Sequence, residues 1–200
     1  MLLYLSTLFS RLISALSSRP KPFGTWDMQP LQPEPSRESS SKPSYISSNG
    51  IAVIKHYEGC RLLAYKDPGG VWTIGWGHTG PDVVPGMVIT QNQADQWLQI
   101  RLSTEFVPGV LAAITEPVNQ HQFDACVSLS YNIGVSAFAG STLVRLLNAG
   151  EVAGAANEFP RWHLDNGKSL KGLRRRRAAE RELFLGADAE AAIAIGDMHD

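Results

Sequence analysis

The sequence predicts a single α+β domain that is dominated by helices and carries a short antiparallel sheet near its N-terminal side. Amphipathic patterns with helix caps recur from residue 49 onward, and an early stretch around Asp-Pro-Gly-Gly alternates apolar and polar residues instead. Helices combined with one short antiparallel sheet are typical of the α+β class. With 200 residues, the chain is long enough for one such domain with its own core and for additional segments.

The first helix of the domain is predicted to begin at residue 49 and to end at Gly59. Ile51, Ile54 and Tyr57 share one helical side, and glycine commonly follows the last helical residue. The pattern therefore places Glu58 at the C-terminus of this helix. The next stretch, LLAYKDPGGVWTIGWGH, predicts a small β-ribbon, because Asp-Pro-Gly-Gly is typical of hairpin turns.

The later helices are indicated by caps and periodicity. Thr90 and Gln93 form a capping box that opens a helix through Leu102. Asn119 and Gln122 open another helix in the same way. Further helical patterns run from about Thr142 to Asn148, from about Val152 to Phe159, and from about Leu173 to Leu185, which Gly186 ends. We therefore predict a folded domain over residues 49–188 and a tail over residues 189–200.

Two segments precede this domain. Residues 20–48 contain six of the twelve prolines and many serines, so we interpret them as a disordered linker. Residues 1–19 place Leu2, Leu5 and Phe9 at helical spacing with serines opposite, which indicates an amphipathic segment. The uncharged run of that segment ends at Arg11, well short of the ~20 apolar residues that a membrane-spanning helix needs.

Three interpretations of residues 1–19 stay open. A cleaved secretory signal usually begins with positive charge, which residues 1–10 lack, although Ala15 and Ser17 fit a cleavage site. An interfacial helix would lay its apolar stripe on a membrane, with Arg11 and Arg19 near the lipid headgroups. In the third interpretation the segment packs on the domain or is disordered.

The charge and the cysteines limit the classes of partner and cofactor. The formal net charge of −1 gives no reason to expect nucleic acid, and the five scattered histidines indicate no metal. From Lys168 to Arg181, however, seven cationic residues accompany the single Glu180, so one C-terminal patch is strongly basic. Cys60 and Cys126 are too few for a disulfide framework and lack metal-ligand spacing. We expect no cofactor.

Two carboxyl groups lie in contrasting settings. Glu58 follows apolar residues at a helix C-terminus, where burial and the helix dipole both favour the neutral acid. Asp67 lies at a turn rich in backbone donors, where the carboxylate is favoured. One such group can protonate a glycosidic oxygen while the other activates water, which is the division of roles that glycoside hydrolysis requires. Thr73, on the next strand, is placed to hold that water beside Asp67.

The joint pattern E-x8-D-x5-T, followed by IGWGHTG, resembles the phage-type lysozymes of glycoside hydrolase family 24, the endolysins of tailed phages. The resemblance covers about residues 46–186. Its blocks, in order, are GIAVIKHYEGCRLLAYKDPGGVWTIGWGHTG, FDACVSLSYNIG, FAGSTLVRLLNAGE, EFPRW and GLRRRRAAERELF. It implies a lysozyme-like fold in which a small lobe with the β-ribbon and a larger helical lobe enclose a substrate cleft.

The resemblance also implies the function and the site. It implies a muramidase that hydrolyses β-1,4 bonds between N-acetylmuramic acid and N-acetylglucosamine in bacterial peptidoglycan, for host cell lysis. Glu58 would be the general acid, Asp67 would activate the water, and Thr73 would assist. The predicted substrate-binding residues are Tyr131, Ser141 and His78. Tyr131 and Ser141 would line the cleft, and His78 would lie behind the catalytic lobe, where a hydrogen-bonded structural imidazole is favoured over a role in proton transfer. Lysozymes of this kind are usually monomers.

Three alternatives are weighed against hydrolysis. A lytic transglycosylase also uses a catalytic Glu, but it forms an anhydro sugar and needs no partnered Asp and Thr. A catalytically silent wall-binding domain is disfavoured because all three motif residues are present. A nucleic-acid module would use the run Arg174–Arg177 on phosphates, but the rest of the chain lacks a matching basic stripe. In the enzyme, some of these arginines would pair with Glu180 or Glu182 and others would face the anionic wall.

The location follows from the substrate. Peptidoglycan lies outside the inner membrane, so an enzyme made in the bacterial cytoplasm must cross that membrane to act in the periplasm. We expect either a phage holin or residues 1–19 to provide the route, with transient membrane contact in the second case. The linker over residues 20–48 would then let the domain reach the wall.

Overall fold

A computed structural model describes residues 43–67 and 69–199 of the chain. These residues belong to a compact unit that spans Ser41–Asp200. The amphipathic segment predicted over residues 1–19 and residues 20–42 of the predicted linker lie outside the described residues. The last part of that linker, residues 43–48, is described, and its final residue already begins the first helix.

Helices make up most of the described chain, and two small antiparallel sheets accompany them. The helices are α1 (Ser48–Glu58), α2 (Gln91–Arg101), α3 (Val107–Ala113), α4 (Gln120–Ile133), α5 (Val135–Ala139), α6 (Thr142–Asn148), α7 (Val152–Ala156), α8 (Lys171–Phe184) and α9 (Ala189–Met198). The strands are β1 (Arg61–Lys66), β2 (Trp72–Gly75), β3 (His78–Thr79), β4 (Leu164–Asp165) and β5 (Lys168–Ser169). A π-helical turn (Leu102–Phe106) and a 3-10 turn (Phe159–Arg161) complete the elements. The predicted α+β class is confirmed.

The predicted helix starts and stops are present in α1, α2 and α4. The capping box of Thr90 opens α2, and that of Asn119 opens α4, with both reciprocal hydrogen bonds formed in each case. Helix α1 ends at Gly59, whose φ of 67° is a conformation that glycine adopts without a steric penalty. Glu58 is therefore the last residue of α1, as predicted.

The predicted β-ribbon is a three-stranded antiparallel sheet with the order β1-β2-β3. Tyr65 of β1 and Thr79 of β3 both pair with Thr73 of the central strand. In an antiparallel pair, residues that are directly opposite place their side chains on the same face of the sheet. Tyr65, Thr73 and Thr79 therefore share one face.

The apolar core consists of two clusters. The larger lies among the helices, and α4 is at its centre, because its residues from Phe123 to Ser130 are all buried. The smaller lies under the sheet and includes Ala64, Ile74 and Ala94. Trp76, which follows β2, packs against both clusters and so joins the sheet to the helices.

Helix α9 was not predicted from the sequence. It occupies most of the segment that we predicted as a tail over residues 189–200, so the predicted boundary at residue 188 cuts the folded unit. Small residues made the segment hard to recognise: Ala189, Ala192 and Gly196 are its buried positions. They let α9 approach closely, and a Cβ at Gly196 would lie only 2.7 Å from the carbonyl oxygen of Arg175 in α8.

Other differences are smaller. The helix predicted from Thr90 continues past Leu102 through the π-helical turn into α3, and the helix predicted from Val152 ends at Ala156. The hairpin of β4 and β5 was also missed, although its turn Asn166-Gly167 has a recognisable signature. Both turn residues have positive φ (49° and 76°), as a two-residue type I′ hairpin loop requires.

Among residues 43–67 and 69–199, none of the helices combines the length and the apolar character that crossing a membrane requires.

The close packing of α9 predicts a position-specific response to an added methyl group. Gly196→Ala should destabilise the domain by about 1–3 kcal/mol, because the new Cβ meets backbone and Tyr57 Oη, which cannot all move away. Gly172→Ala, on α8, is the control, since no atom lies within 4 Å of its added Cβ. Urea unfolding should show a loss of stability for the first variant only. Equal stability of the two variants would contradict the observed packing.

Candidate functional site

Glu58 is bound by an arginine that is 118 positions away in the sequence. Arg176 of α8 donates from Nη1 to Glu58 Oε1 over 2.5 Å. The arginine side chain is only 3 % exposed, whereas that of Glu58 is 20 % exposed. The carboxyl group therefore has one face against a buried cation and one face toward solvent.

The turn between β2 and β3 lies against the other oxygen of Glu58. A Cβ built at Gly77 would be 3.5 Å from Glu58 Oε2, and the φ of Gly77 is 87°. Two helices fasten this turn. Tyr131 of α4 donates from its hydroxyl to the carbonyl oxygen of Trp76 over 2.7 Å, and Arg101 of α2 donates to that of Gly77 over 3.3 Å.

The pKa of the Tyr131 hydroxyl is shifted by burial and by the charge of Glu58. Burial raises the pKa of the Tyr131 hydroxyl to about 12, and the negative charge of Glu58 adds to this shift. Arg101 and Arg176 act in the opposite direction. The tyrosine is therefore neutral over the whole physiological range, and its hydroxyl is always available as a hydrogen-bond donor.

Asp67 and Thr73 both form hydrogen bonds to the backbone of Val71, in the turn that joins β1 to β2. Asp67 Oδ1 accepts a hydrogen bond from the backbone nitrogen of Val71 over 2.8 Å. Thr73 Oγ1 donates to the carbonyl oxygen of the same residue over 3.2 Å. Asp67 is half-buried, whereas Thr73 is only 4 % exposed. Val71 thus couples the two side chains through its own backbone groups.

The family profile described as phage lysozyme matches residues 55–180, a range that contains Glu58, Asp67, Thr73 and Arg176. This chain belongs to the phage lysozyme family. The family predicted from the sequence is therefore confirmed.

The relatives of this phage lysozyme agree with that assignment. It is 48 % identical over 141 residues to the endolysin of Bacillus phage PZA, an alignment that covers 70 % of this chain and 54 % of that protein. The chain thus spans about half the length of that relative. It is 45 % identical to the endolysin of Salmonella phage P22, with 70 % of this chain and 97 % of that protein covered.

A solved structure supports the same fold. The muramidase domain of SpmX from Asticaccaulis excentricus superposes with a TM-score of 0.67 at 39 % sequence identity. The superposition covers 72 % of this chain and all of that domain. The predicted lysozyme-like fold is therefore confirmed.

Two of the residues predicted to bind substrate have structural partners in this phage lysozyme. His78 Nε2 lies 3.0 Å from Asp82 Oδ2, and its ring packs at 4.8 Å from that of Trp97. Ser141 is buried and caps α6, because its hydroxyl accepts a hydrogen bond from the backbone nitrogen of Val144 over 3.1 Å. Of the three predicted residues, Tyr131 is the one whose pKa is raised by the charge of Glu58.

The basic run Arg174–Arg177 does not form a uniform surface patch. Arg176 and Arg177 are buried and pair with Glu180, as the sequence analysis expected for part of the run. Sequence reasoning did not find the contact of Arg176 with Glu58, since 118 positions separate the two residues. The available signal was the i, i+4 spacing of Arg176 and Glu180, which indicated that one arginine was already partnered.

The cysteines and potential metal ligands add no further chemistry to the described part of the chain. Cys60 is partly buried, Cys126 is buried, and both are free thiols. The described residues contain no group of three histidine, cysteine or acidic side chains that could hold a metal ion.

The raised pKa of Tyr131 predicts a loss of stability at high pH. The folded-state pKa of about 12 lies above the ordinary value of 10.0, so the neutral hydroxyl contributes stability below pH 10 that is lost between pH 10 and 12. Tyr131→Phe should reduce this alkaline loss by about 3 kcal/mol. It should also cost about 1 kcal/mol at neutral pH, because the carbonyl of Trp76 loses its donor.

The matched control is Tyr45→Phe, since the Tyr45 side chain is 64 % exposed. Urea unfolding at a series of pH values measures both effects. If Tyr131→Phe and the wild type lose stability in parallel above pH 10, the buried position of the Tyr131 hydroxyl is contradicted.

Proposed function

We propose that this phage lysozyme is an endolysin that hydrolyses the β-1,4 bonds between N-acetylmuramic acid and N-acetylglucosamine in bacterial peptidoglycan, for host cell lysis. The observation that carries the proposal is the setting of Glu58. One of its oxygens is bound by a buried arginine, and the other faces a glycine turn that presents no side chain. Membership of the phage lysozyme family and the resemblance to named endolysins support it.

Glu58 acts as the general acid. Arg176 has only donors, so its hydrogen bond occupies Oε1 as an acceptor and leaves Oε2 to carry the proton. That proton passes from Oε2 to the glycosidic oxygen as the bond to the anomeric carbon breaks. Because Gly77 has no side chain, no Cβ of this residue lies between the turn and Oε2.

Asp67 and Thr73 direct the water that completes the reaction. Asp67, which accepts a hydrogen bond from the backbone nitrogen of Val71, accepts a proton from the water as it attacks the anomeric carbon. The hydroxyl of Thr73 donates to Val71, so its lone pairs are free to accept a hydrogen bond from the same water. Attack by water from the face opposite the leaving group inverts the configuration, for which a carboxyl separation of roughly 6.5–9.5 Å leaves room.

The substrate is held by groups around this centre. Tyr131, whose hydroxyl binds the turn beside Glu58, would line the cleft, and Ser141 and His78 complete the proposed set although their polar atoms already have partners within the fold. We propose a monomer that needs no cofactor and binds no nucleic acid. The pairing of Arg176 and Arg177 inside the domain supports the last point, because these two cations are not available to phosphates.

Lytic transglycosylation is the closest alternative. In that reaction the sugar's own hydroxyl closes an anhydro ring, and a water-directing pair has no role. The coupling of Asp67 and Thr73 through Val71 favours hydrolysis, since it places an acceptor and a hydroxyl at one turn.

Purified peptidoglycan tests the proposal directly. The wild-type protein should release products with reducing ends, and Glu58→Gln should lower the rate by at least about 100-fold, because the amide cannot donate the acidic proton. Glu182→Gln is the matched control, since Glu182 pairs with Arg181 on the outer side of α8. Mass spectrometry of the products and circular dichroism of each variant provide the measurement.

Two outcomes would overturn parts of this proposal. Products with 1,6-anhydro ends would replace hydrolysis by transglycosylation. Full activity of a folded Glu58→Gln variant would remove Glu58 from the role of the acid.

We also propose that the protein is made in the host cytoplasm and acts on the wall, with residues 1–19 in transient contact with the inner membrane. The amphipathic pattern of residues 1–19 supports membrane contact. Fractionation of cells that express the full chain or a chain lacking residues 1–20 tests this. The full chain should be enriched in the membrane fraction and the shortened chain should not. An equal distribution of the two chains would exclude the contact.

A further inference from the structure

The run Arg174–Arg177 contains two buried cations, and only one of them, Arg176, contacts the proposed acid Glu58. Arg176 and Arg177 are 3 % and 0 % exposed, and Glu180, one turn further along α8, is 0 % exposed. Buried charges are costly unless they are paired and hydrogen-bonded, so a cluster of this kind beside a candidate acid requires an explanation.

Glu180 is the centre of this buried cluster. Its Oε1 accepts hydrogen bonds from Arg176 Nε over 3.0 Å, from Arg177 Nη2 over 3.0 Å and from the hydroxyl of Ser128 over 2.8 Å. Its Oε2 lies 2.8 Å from Arg177 Nε as an ion pair. One carboxylate thus holds two guanidinium groups of α8 and a serine of α4.

Every nitrogen of the Arg176 guanidinium has a different partner. Nε donates to Glu180, Nη2 donates to the carbonyl oxygen of Ser128 over 3.3 Å, and Nη1 donates to Glu58. The guanidinium is planar, so bonds at two of its nitrogens fix the direction of the third. Glu180 and Ser128 therefore determine where Nη1 points.

The charges of the cluster also act on Glu58. The two arginines carry two positive charges, and Glu180 offsets one of them. Burial alone disfavours the charged form of Arg176, but attraction to Glu180 and then to Glu58 outweighs burial and raises the pKa of Arg176. Burial lowers the pKa of Arg177 to about 10, which leaves it charged at neutral pH.

We propose that Glu180 is a positioning residue for the reaction: it orients Arg176 toward Glu58 and offsets part of the buried positive charge that acts on Glu58. This inference rests on the proposed role of Glu58 as the acid. Without Glu180, two cations would face Glu58 alone, and they would favour the carboxylate over the protonated form that a general acid needs.

Other titratable groups surround Glu58 and must stay unchanged in the test. Tyr131 faces it from α4, with Arg101 of α2 behind the tyrosine ring. Arg176 and Arg177 face it from α8, and His78 follows the turn at Gly77 on the sheet side. None of these residues is altered in the variants below except Arg177, which is changed in one variant together with Glu180.

Two variants separate the charge of Glu180 from its role as an anchor. Glu180→Gln keeps the size and an acceptor oxygen but removes the negative charge. Arg177→Met combined with Glu180→Leu removes one charge of each sign, so that the net charge is unchanged, while Arg176 Nε loses its partner. Replacement of a buried ion pair by apolar residues of similar size is often tolerated, so we expect this double variant to fold.

The matched control is the double variant Arg181→Met with Glu182→Leu. It removes a neighbouring ion pair of the same helix, 2.8 Å long, whose side chains are 35 % and 26 % exposed. It therefore changes the same residue types without touching the buried cluster.

The primary readout is the titration of the Glu58 side-chain carboxyl, followed by carbon-13 NMR, which needs no activity. In Glu180→Gln its midpoint should move to lower pH by about one unit, and the control should show no shift. In parallel, the basic limb of the kcat/KM profile on purified peptidoglycan should move in the same direction. The charge-balanced double variant should lower kcat about tenfold or more with little change in KM, because Arg176 no longer fixes the orientation of Glu58.

The outcomes are distinguishable. A midpoint of Glu58 that is unchanged in folded Glu180→Gln, or full kcat of the folded double variant, would overturn the inference and leave the proposed hydrolysis standing. If the double variant does not fold, the NMR titration of Glu180→Gln decides alone. A wild-type protein that releases no reducing ends would instead refute the proposed function, while the NMR titration would still test the effect of Glu180 on Glu58.

Discussion

The ion pair between Glu58 and Arg176 is the interaction on which the site depends. It joins the last residue of α1 to α8, two helices that are distant in the sequence, and it brings a buried positive charge to the edge of the domain. An isolated buried guanidinium would be strongly unfavourable, so the helices around it must supply acceptors. Glu180 and the carbonyl of Ser128 do so from α8 and α4. The contacts that hold α1, α4 and α8 together are therefore the same contacts that fix the position of Glu58.

The elements whose signals are local were predicted well from the sequence. The caps at Thr90 and Asn119 bind their own helices, and the positive φ of Gly59 ends α1. Such signals require only neighbouring residues, so a linear pattern contains them. Helix α9 lacks a signal of this kind, because its buried face is made of alanine and glycine, whose small side chains give little contrast with the exposed face. Its stability depends on close contact with α8, which no local pattern reveals.

The candidate site also combines contacts between sequence neighbours, which a pattern can predict, with contacts between distant residues, which it cannot. The roles of Glu58, Asp67 and Thr73 were inferred from a spacing within sixteen residues and from a family resemblance, and the structure adds how each is held. The link through Val71 is local and follows from the turn. The partner of Glu58 is not local, because Arg176 lies 118 positions away in the sequence. Sequence reasoning treated burial and the helix dipole as the environment of Glu58, and it did not anticipate the guanidinium beside it.

The two helices that fasten the Trp76–Gly77 turn impose a mechanical consequence. Consecutive carbonyl oxygens of this turn are tied to Tyr131 and Arg101, and the Trp76 ring packs against both apolar clusters. Were the sheet to rock relative to the helices, this turn would move least and act as the pivot, because it is anchored on both sides. The β1–β2 turn that carries Asp67 lies at the far end of β2 and would move more. Such a motion would change the distance between Asp67 and Glu58, the two proposed catalytic carboxyl groups, while Glu58 stayed in place.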